Sequence, residues 1–425
     1  MKRARGRAGF CHIDSHVSAH LSDRTVNRDL ARRLRAELWQ PPRAHGEILR
    51  DRSVGPLELF YDLVVVVLVA QAAHHLADHL TAGGLAEFAA VFTIVWLAWF
   101  NGTLHHELHG REDVRARNTF LAQILLLVPL GAYIPEAGGV HGRAFAVDAA
   151  LLFAFLAVLW SRAGLNDTAE FRTTSRIYVW ITAATAAGLA GSALLPAASR
   201  IAVWAALAAL YLLVVLVVFA VTPPDIAAAV AVTDALTDRF GAFIIIVLGE
   251  TVTGVVTGLA TNPTRPATLA IGLVAVLVGF GSWWTFFDFA GYRLPRTSRS
   301  ATAGWLLAHL PIAAAIAAIG ATMVGLVGSP HRLGAVASWT LAGGAVVILT
   351  ITAALMTTLR EWVSHAGLYR PVAGACLVAA VFAMIVGLLR PAPLLLAILL
   401  VAVFAGPWTY AVIRRAIASD GGGHG

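Results

Sequence analysis

The chain has 425 residues, 58% of them hydrophobic and only 13% charged, with a mean hydropathy of +0.75. Soluble domains carry about 25% charged residues, so this composition excludes an ordinary soluble protein and points to the membrane. Two cysteines, Cys11 in a polar tail and Cys376 in an apolar run, exclude a disulfide framework and a zinc-type cluster. The net charge of +7 is read as topology and contact with anionic lipid, not as nucleic-acid binding.

Residues 1–24 are basic and aperiodic and read as a disordered tail. From Asn27 to Trp39, Leu30, Leu34 and Leu38 recur every fourth residue with Arg28, Arg32, Arg33 and Arg35 around the other side, until Pro41-Pro42 ends the run. That pattern predicts a basic amphipathic helix on the inner membrane surface; a solvated helix packed on the inner loops is the alternative. Nothing in residues 1–53 has the apolar core of a signal peptide.

Spanning helices need roughly 20 apolar residues. About twelve such runs follow, at 57–77, 85–104, 118–137, 144–162, 176–195, 200–221, 236–259, 268–290, 301–327, 334–358, 371–389 and 392–413. Basic residues test the count. With an inner amino terminus, only Arg143, Arg200, Arg265, Arg332 and Arg390 of the 31 Lys and Arg fall on the outer side. Such an asymmetry supports an even number of spans with both termini cytoplasmic. The expected domains are a cytoplasmic basic tail (1–53), a first membrane unit (54–222), a connector at Pro223-Pro224-Asp225 (223–232), a second unit (233–415) and a Gly-rich tail (416–425).

The first run opens with Glu58-Leu-Phe60-Tyr-Asp62. At helical pitch its two carboxylates share one face, and that face should look into protein or water because lipid-exposed carboxylates are costly. The seventh run, Asp238-Arg239-Phe240-Gly-Ala-Phe through Leu248-Gly-Glu250, lies on the first with acid on acid and Phe on Phe. Trp96-Leu-Ala-Trp99-Phe100-Asn101 in the second run matches Trp283-Trp-Thr-Phe-Phe287-Asp288 in the eighth. Phe120-Leu-Ala-Gln123 sits beside Leu306-Leu-Ala-His309 in the third and ninth. Three matches in one order predict two parallel six-helix repeats, related about an axis along the membrane normal.

With that topology Asp62, Asn101, Gln123, Asp238, Arg239, Asp288 and His309 fall at a similar inner depth. Glu250 lies about 17 Å beyond Arg239, nearer mid-membrane. A belt of this kind fits either an ion or proton path or polar groups that hold helices together. Asp62, Asn101 and Asp288, near helix ends, read as helix–helix glue, whereas Glu250, with little polar company, reads as functional. His74, His75, His79 and His105, His109 offer i,i+4 pairs, but the two groups end helices on opposite faces and cannot share a metal; solvated helix ends are the reading. No zinc spacing, nucleophile motif, Walker loop or dinucleotide fingerprint is present, so no enzyme and no cofactor are expected.

The runs at 58–64, 239–250, 283–288 and His309-Leu-Pro311 together resemble the bacterial low-temperature-requirement protein A (LtrA) family over roughly residues 52–415. The resemblance implies a protein of the bacterial cytoplasmic membrane tied to growth in the cold. It also implies Glu where Asp238 stands and a His upstream, where this chain has Thr233-Asp234. More distantly, the paired repeats are similar to two-repeat potassium channels.

The expected molecule is thus an all-α integral membrane protein. Its leading function is an ion- or proton-conducting channel or transporter for a monovalent cation or proton, with Glu58, Asp62, Asn101, Gln123, Asp238, Arg239, Glu250, Asp288 and His309 as pore or belt residues. The alternative is a membrane scaffold or envelope-homeostasis factor.

Overall fold

The computed structural model describes residues 41–44, 54–111, 113–221, 232–329 and 331–421, together with Arg33. The expected amphipathic helix at 27–39, apart from Arg33, and the connector at Pro223-Pro224-Asp225 lie outside these residues. Among the described residues there are twelve long helices and no strand. They are α1 (Pro56–Asp78), α2 (Ala82–His109), α3 (Val114–Tyr133), α4 (Gly142–Asn166), α5 (Arg172–Ser192) and α6 (Ala197–Val221). After the connector come α7 (Asp234–Ala260), α8 (Pro266–Phe289), α9 (Arg299–Gly328), α10 (Ala335–Met356), α11 (Ala366–Leu389) and α12 (Pro393–Gly421).

Local chemistry sets many of the starts. Thr81, Asp113, Thr233 and Ser298 each accept a backbone N–H three residues on, capping α2, α3, α7 and α9. At α1 a proline fills the first helical position, and Glu58 reaches back to accept the Gly55 N–H at 2.9 Å. The carboxylate that reads as a pore residue therefore also fixes a helix start.

Eleven of these helices are long and apolar enough to cross a membrane, which makes the chain an integral membrane protein. The helix α5 is the exception to the expected twelve. It opens with Arg172, Thr173, Thr174, Ser175 and Arg176, so its first turns are polar. It buries Tyr178, Thr182, Thr185 and Leu189 against its neighbours α4 and α6. The helix α12 runs to Gly421, into the stretch expected to be tail.

Packing organises the bundle about α9, on which Ile312, Ala313, Ile316, Ala317, Ile319 and Met323 are fully buried. Within the first six helices α1 packs on α2 and α3, α3 on α4, α4 on α5 and α2, and α6 on α5 and α2. Within the second six α7 packs on α8 and α9, α9 on α10, α10 on α11 and α8, and α12 on α11 and α8. The two sets meet where α1 packs on α7 and α9, and where α2 and α6 pack on α9. The tightest crossing, α7 on α9, is made by small residues. A Cβ on Gly254 would collide with the Gly320 carbonyl oxygen, so the backbones touch. Leu213, Leu216 and Val217 on α6 and Val378, Val381 and Phe382 on α11 stay on the outside, an apolar girdle suited to lipid.

Candidate functional site at the junction of α1 and α7

Carboxylates on α1 one turn apart need a partner once the helix is packed, and α7 supplies it. Arg239 donates from Nε to both Asp62 carboxylate oxygens at 3.1 Å and from Nη2 to Oδ1 at 2.9 Å. Its third nitrogen, Nη1, donates to Glu58 Oε1 at 3.3 Å. Asp62 is fully buried and Arg239 is 2% exposed. A two-armed guanidinium–carboxylate pair is among the stronger polar contacts, and burial makes its completeness matter.

The surroundings complete the cluster. Trp99 of α2 donates its indole N–H to Asp62 Oδ1 at 2.7 Å. The guanidinium carbon lies 5.6 Å from the centre of the Tyr61 ring and 5.7 Å from that of Phe120, both cation–π distances. The Tyr61 hydroxyl donates to Gln123 Oε1 at 3.1 Å. A side chain on Gly102 would strike both, its Cβ falling 2.4 Å from Gln123 Oε1 and 2.8 Å from the Tyr61 oxygen. On the other side His106 Nε2 sits 3.5 Å from Glu58 Oε1.

His106 and Gln123 also line a partly open cleft between the end of α2 and the start of α3. His105, His109, Asp113, Arg115 and Thr119 share its wall, together with Pro41 and Pro42. The expectation that His105 and His109 are solvated helix ends is corrected here. His109 is 2% exposed, and its Nδ1 lies 2.8 Å from the Arg43 carbonyl. Arg43 in turn donates to the carbonyls of Gly110 and Glu107 and so closes the carboxyl end of α2. At the end of α1, His74 and His79 are exposed, whereas His75 is half-buried with its Nε2 3.6 Å from Glu87 Oε1 on α2. Among the described residues no group of His, Cys, Asp or Glu has the arrangement to hold a metal.

The remaining belt residues are dispersed. Asn101 accepts from the Tyr211 hydroxyl at 2.6 Å and donates to the Leu97 carbonyl at 2.7 Å, tying α2 to α6. Asp288 accepts from Trp284, one turn earlier, at 2.9 Å, and is half-buried. His309 is enclosed by the rings of Phe240, Phe286 and Trp305, with Nδ1 2.7 Å from the Trp305 carbonyl. Asp238, next to Arg239 in sequence, is exposed. Glu250 is 9% exposed and its Oε2 lies 3.9 Å from His74 Nε2, a partner on α1 that the apolar run around it did not announce. Trp99, Tyr61 and His106 are site members that sequence reasoning did not single out. Trp99 had a usable signal, an indole within the repeated aromatic motif, because a buried indole N–H needs an acceptor.

A helical bundle with an enclosed ion-pair cluster between two sets of spanning helices defines a polytopic membrane protein with a polar centre. Residues 53–405 match the family described as bacterial low temperature requirement A protein (LtrA), and the chain belongs to that family. It is also similar to the uncharacterised protein RA0937 of Rhizobium meliloti (strain 1021), at 26% identity over 284 residues. That alignment covers 61% of this chain and 66% of the relative, just under two thirds of its length. No solved structure matches.

Proposed function

We propose that this LtrA-family protein passes or senses a proton or small monovalent cation, without enzymatic chemistry, in the bacterial cytoplasmic membrane. The contact between His106 and Glu58 carries the reading. It joins a polar cleft at one end of the bundle to the buried Glu58–Arg239–Asp62 cluster through a titratable side chain at 3.5 Å. Glu250, with His74 at 3.9 Å, stands further along the same two helices, α1 and α7, as the next titratable pair.

In this reading α5, packed between α4 and α6, crosses with the other eleven helices, and the bundle is two parallel six-helix repeats with both termini cytoplasmic and anionic lipid at the inner face. The pattern of neighbours supports the repeat. Each helix pair that packs within the first six helices has its counterpart, six helices later, in the second. A second reading, a scaffold or envelope-homeostasis factor for growth in the cold, is favoured by the complete pairing of Asp62, Asn101 and Gln123.

Flux in proteoliposomes separates the two. Passage predicts proton or monovalent-cation flux that falls in Glu250→Gln and in His106→Phe. No flux from the wild-type protein for any such ion favours the scaffold. Undiminished flux in both variants removes these residues from the path.

A further inference from the structure

The far end of the first six helices holds a cation that its surroundings do not balance. Arg200, in the first turn of α6, is 6% exposed, and its Nε and Nη1 have no hydrogen-bond partner. Its guanidinium lies against the first turn of α4. A Cβ on Gly142 would fall 2.0 Å from Nη1 and 3.0 Å from the guanidinium carbon. No side chain caps α4, and neither α4 nor α6 carries an acidic residue in its first turn. The buried Asp148, one and a half turns further along α4, makes no ion pair with Arg200, and its own Oδ2 has no partner.

A helix amino terminus is positive, so two such ends beside an unpaired buried guanidinium add like to like. Leaving a charged donor buried and unsatisfied is costly, and a bound anion relieves both penalties at once. The ring pair of Phe145 and Trp204, centroids 4.8 Å apart, forms an apolar floor one turn further in, where charge–charge interaction is poorly screened. His141 and Arg143 flank the spot and are exposed, so an anion can reach its edge.

We propose that Arg200 and the amino-terminal turn of α4 form a binding site for a phosphate-type oxyanion. Its place follows from α4 itself. Leu159 lines the cleft, and Gly142 lies about 25 Å back along the helix, at the opposite end of the bundle. A phosphate group there comes either from a lipid headgroup at the membrane surface or from free solute, and both offer the same oxygens to the guanidinium fork.

Thermal unfolding of the purified full-length protein tests the site in two arms. In detergent, inorganic phosphate is compared with chloride at equal ionic strength. In nanodiscs, phosphatidylcholine alone is compared with a mixture containing phosphatidylglycerol. The expected result is a saturable rise in wild-type Tm, with phosphate if the source is solute, or with phosphatidylglycerol only if it is lipid. Arg200→Met is expected to lose that rise while folding normally, because it removes an unpaired charge and leaves no new one. Arg200→Gln, which keeps donors without charge, is expected to lose it too and guards against a packing fault in the first variant. A wild-type Tm unmoved in both arms, or equal shifts in wild type and variants, overturns the proposal.

Discussion

Asp62 on α1 and Arg239 on α7 stand 177 positions apart and close on one another through both arms of the guanidinium, with the shortest contact at 2.9 Å. The contact clamps the first helix of one set to the first helix of the other. Glu58 and Trp99 fill the remaining valences, so the pair is satisfied rather than stranded. Satisfied buried pairs are tolerated where broken ones are not.

That asymmetry gives the first prediction. Asp62→Ala leaves Arg239 facing Glu58 alone, and Arg239→Ala leaves two carboxylates without their guanidinium. Each is expected to cost about 3–5 kcal/mol of stability, the usual penalty for breaking a buried pair from one side. The double replacement Asp62→Leu with Arg239→Met is expected to unfold at a higher temperature than either single variant. Thermal melts of the four proteins in one detergent measure this; a double variant less stable than both singles would sink the clamp.

How much of this was legible follows from which rules act locally. Glu58 and Asp62 had to turn inward because hydrocarbon rejects carboxylates, and they do. Their partner was harder to read. Asp238 and Arg239 are neighbours in sequence but about 100° apart around the helix, so the register of α7 on α1 buries one and exposes the other. Matching acid to acid in the repeat drew attention to Asp238, whereas the partner of the α1 acids was Arg239. The weak apolarity of α5 was visible in its Arg172 and Arg176, but a pattern of apolar runs rounds such a helix up to a span. His105 and His109 misled because their covering segment, at Pro41–Arg43, lies more than sixty residues upstream. The pairing of Trp284 with Asp288, by contrast, is an i,i+4 contact that spacing alone permits.

The indole of Trp99 offers a cleaner probe of the cluster. Trp99→Phe keeps much of the ring contact with Phe243, whose centroid is 4.1 Å away, but removes the donor to Asp62. Hydrogen bonds to charged groups contribute about 1.5–3 kcal/mol, and a loss of that size is expected. If the Asp62→Ala protein is already impaired, adding Trp99→Phe should cost much less than it does alone. A double-mutant cycle on unfolding free energies reads the difference, and strict additivity would deny the bond any energetic role.

Gly102 sets the spacing between Tyr61 and Gln123. Gly102→Ala puts a methyl group 2.4 Å from the Gln123 oxygen, so the Tyr61–Gln123 bond must open or α2 must shift. Overpacking of this kind costs about 1–3 kcal/mol. The companion variant Gly102→Ala with Gln123→Ala frees the space and is expected to recover part of that loss. Equal stability of the two would place the clash elsewhere.

The crossing of α7 on α9 carries the last prediction, and it bears on Glu250. Gly254 and Gly320 bring the two backbones into contact, and a Cβ on Gly320 would fall 2.7 Å from the Glu250 carbonyl oxygen and 3.0 Å from its Cβ. Backbone cannot yield as a side chain can, so Gly320→Ala forces the helices apart and moves Glu250 with them. Interfaces of small residues in membranes depend on this closeness, because apolar surface gains little there by leaving lipid. The expected outcome is a lowered Tm in Gly320→Ala, a larger drop in Gly320→Leu, and a Glu250 that is more reactive toward a water-soluble carbodiimide than in the wild type. Gly343→Ala, at a site with open space around the added methyl, is expected to change neither readout. Wild-type stability and unaltered Glu250 labelling in Gly320→Leu would mean that the two helices do not cross at Gly254 and Gly320.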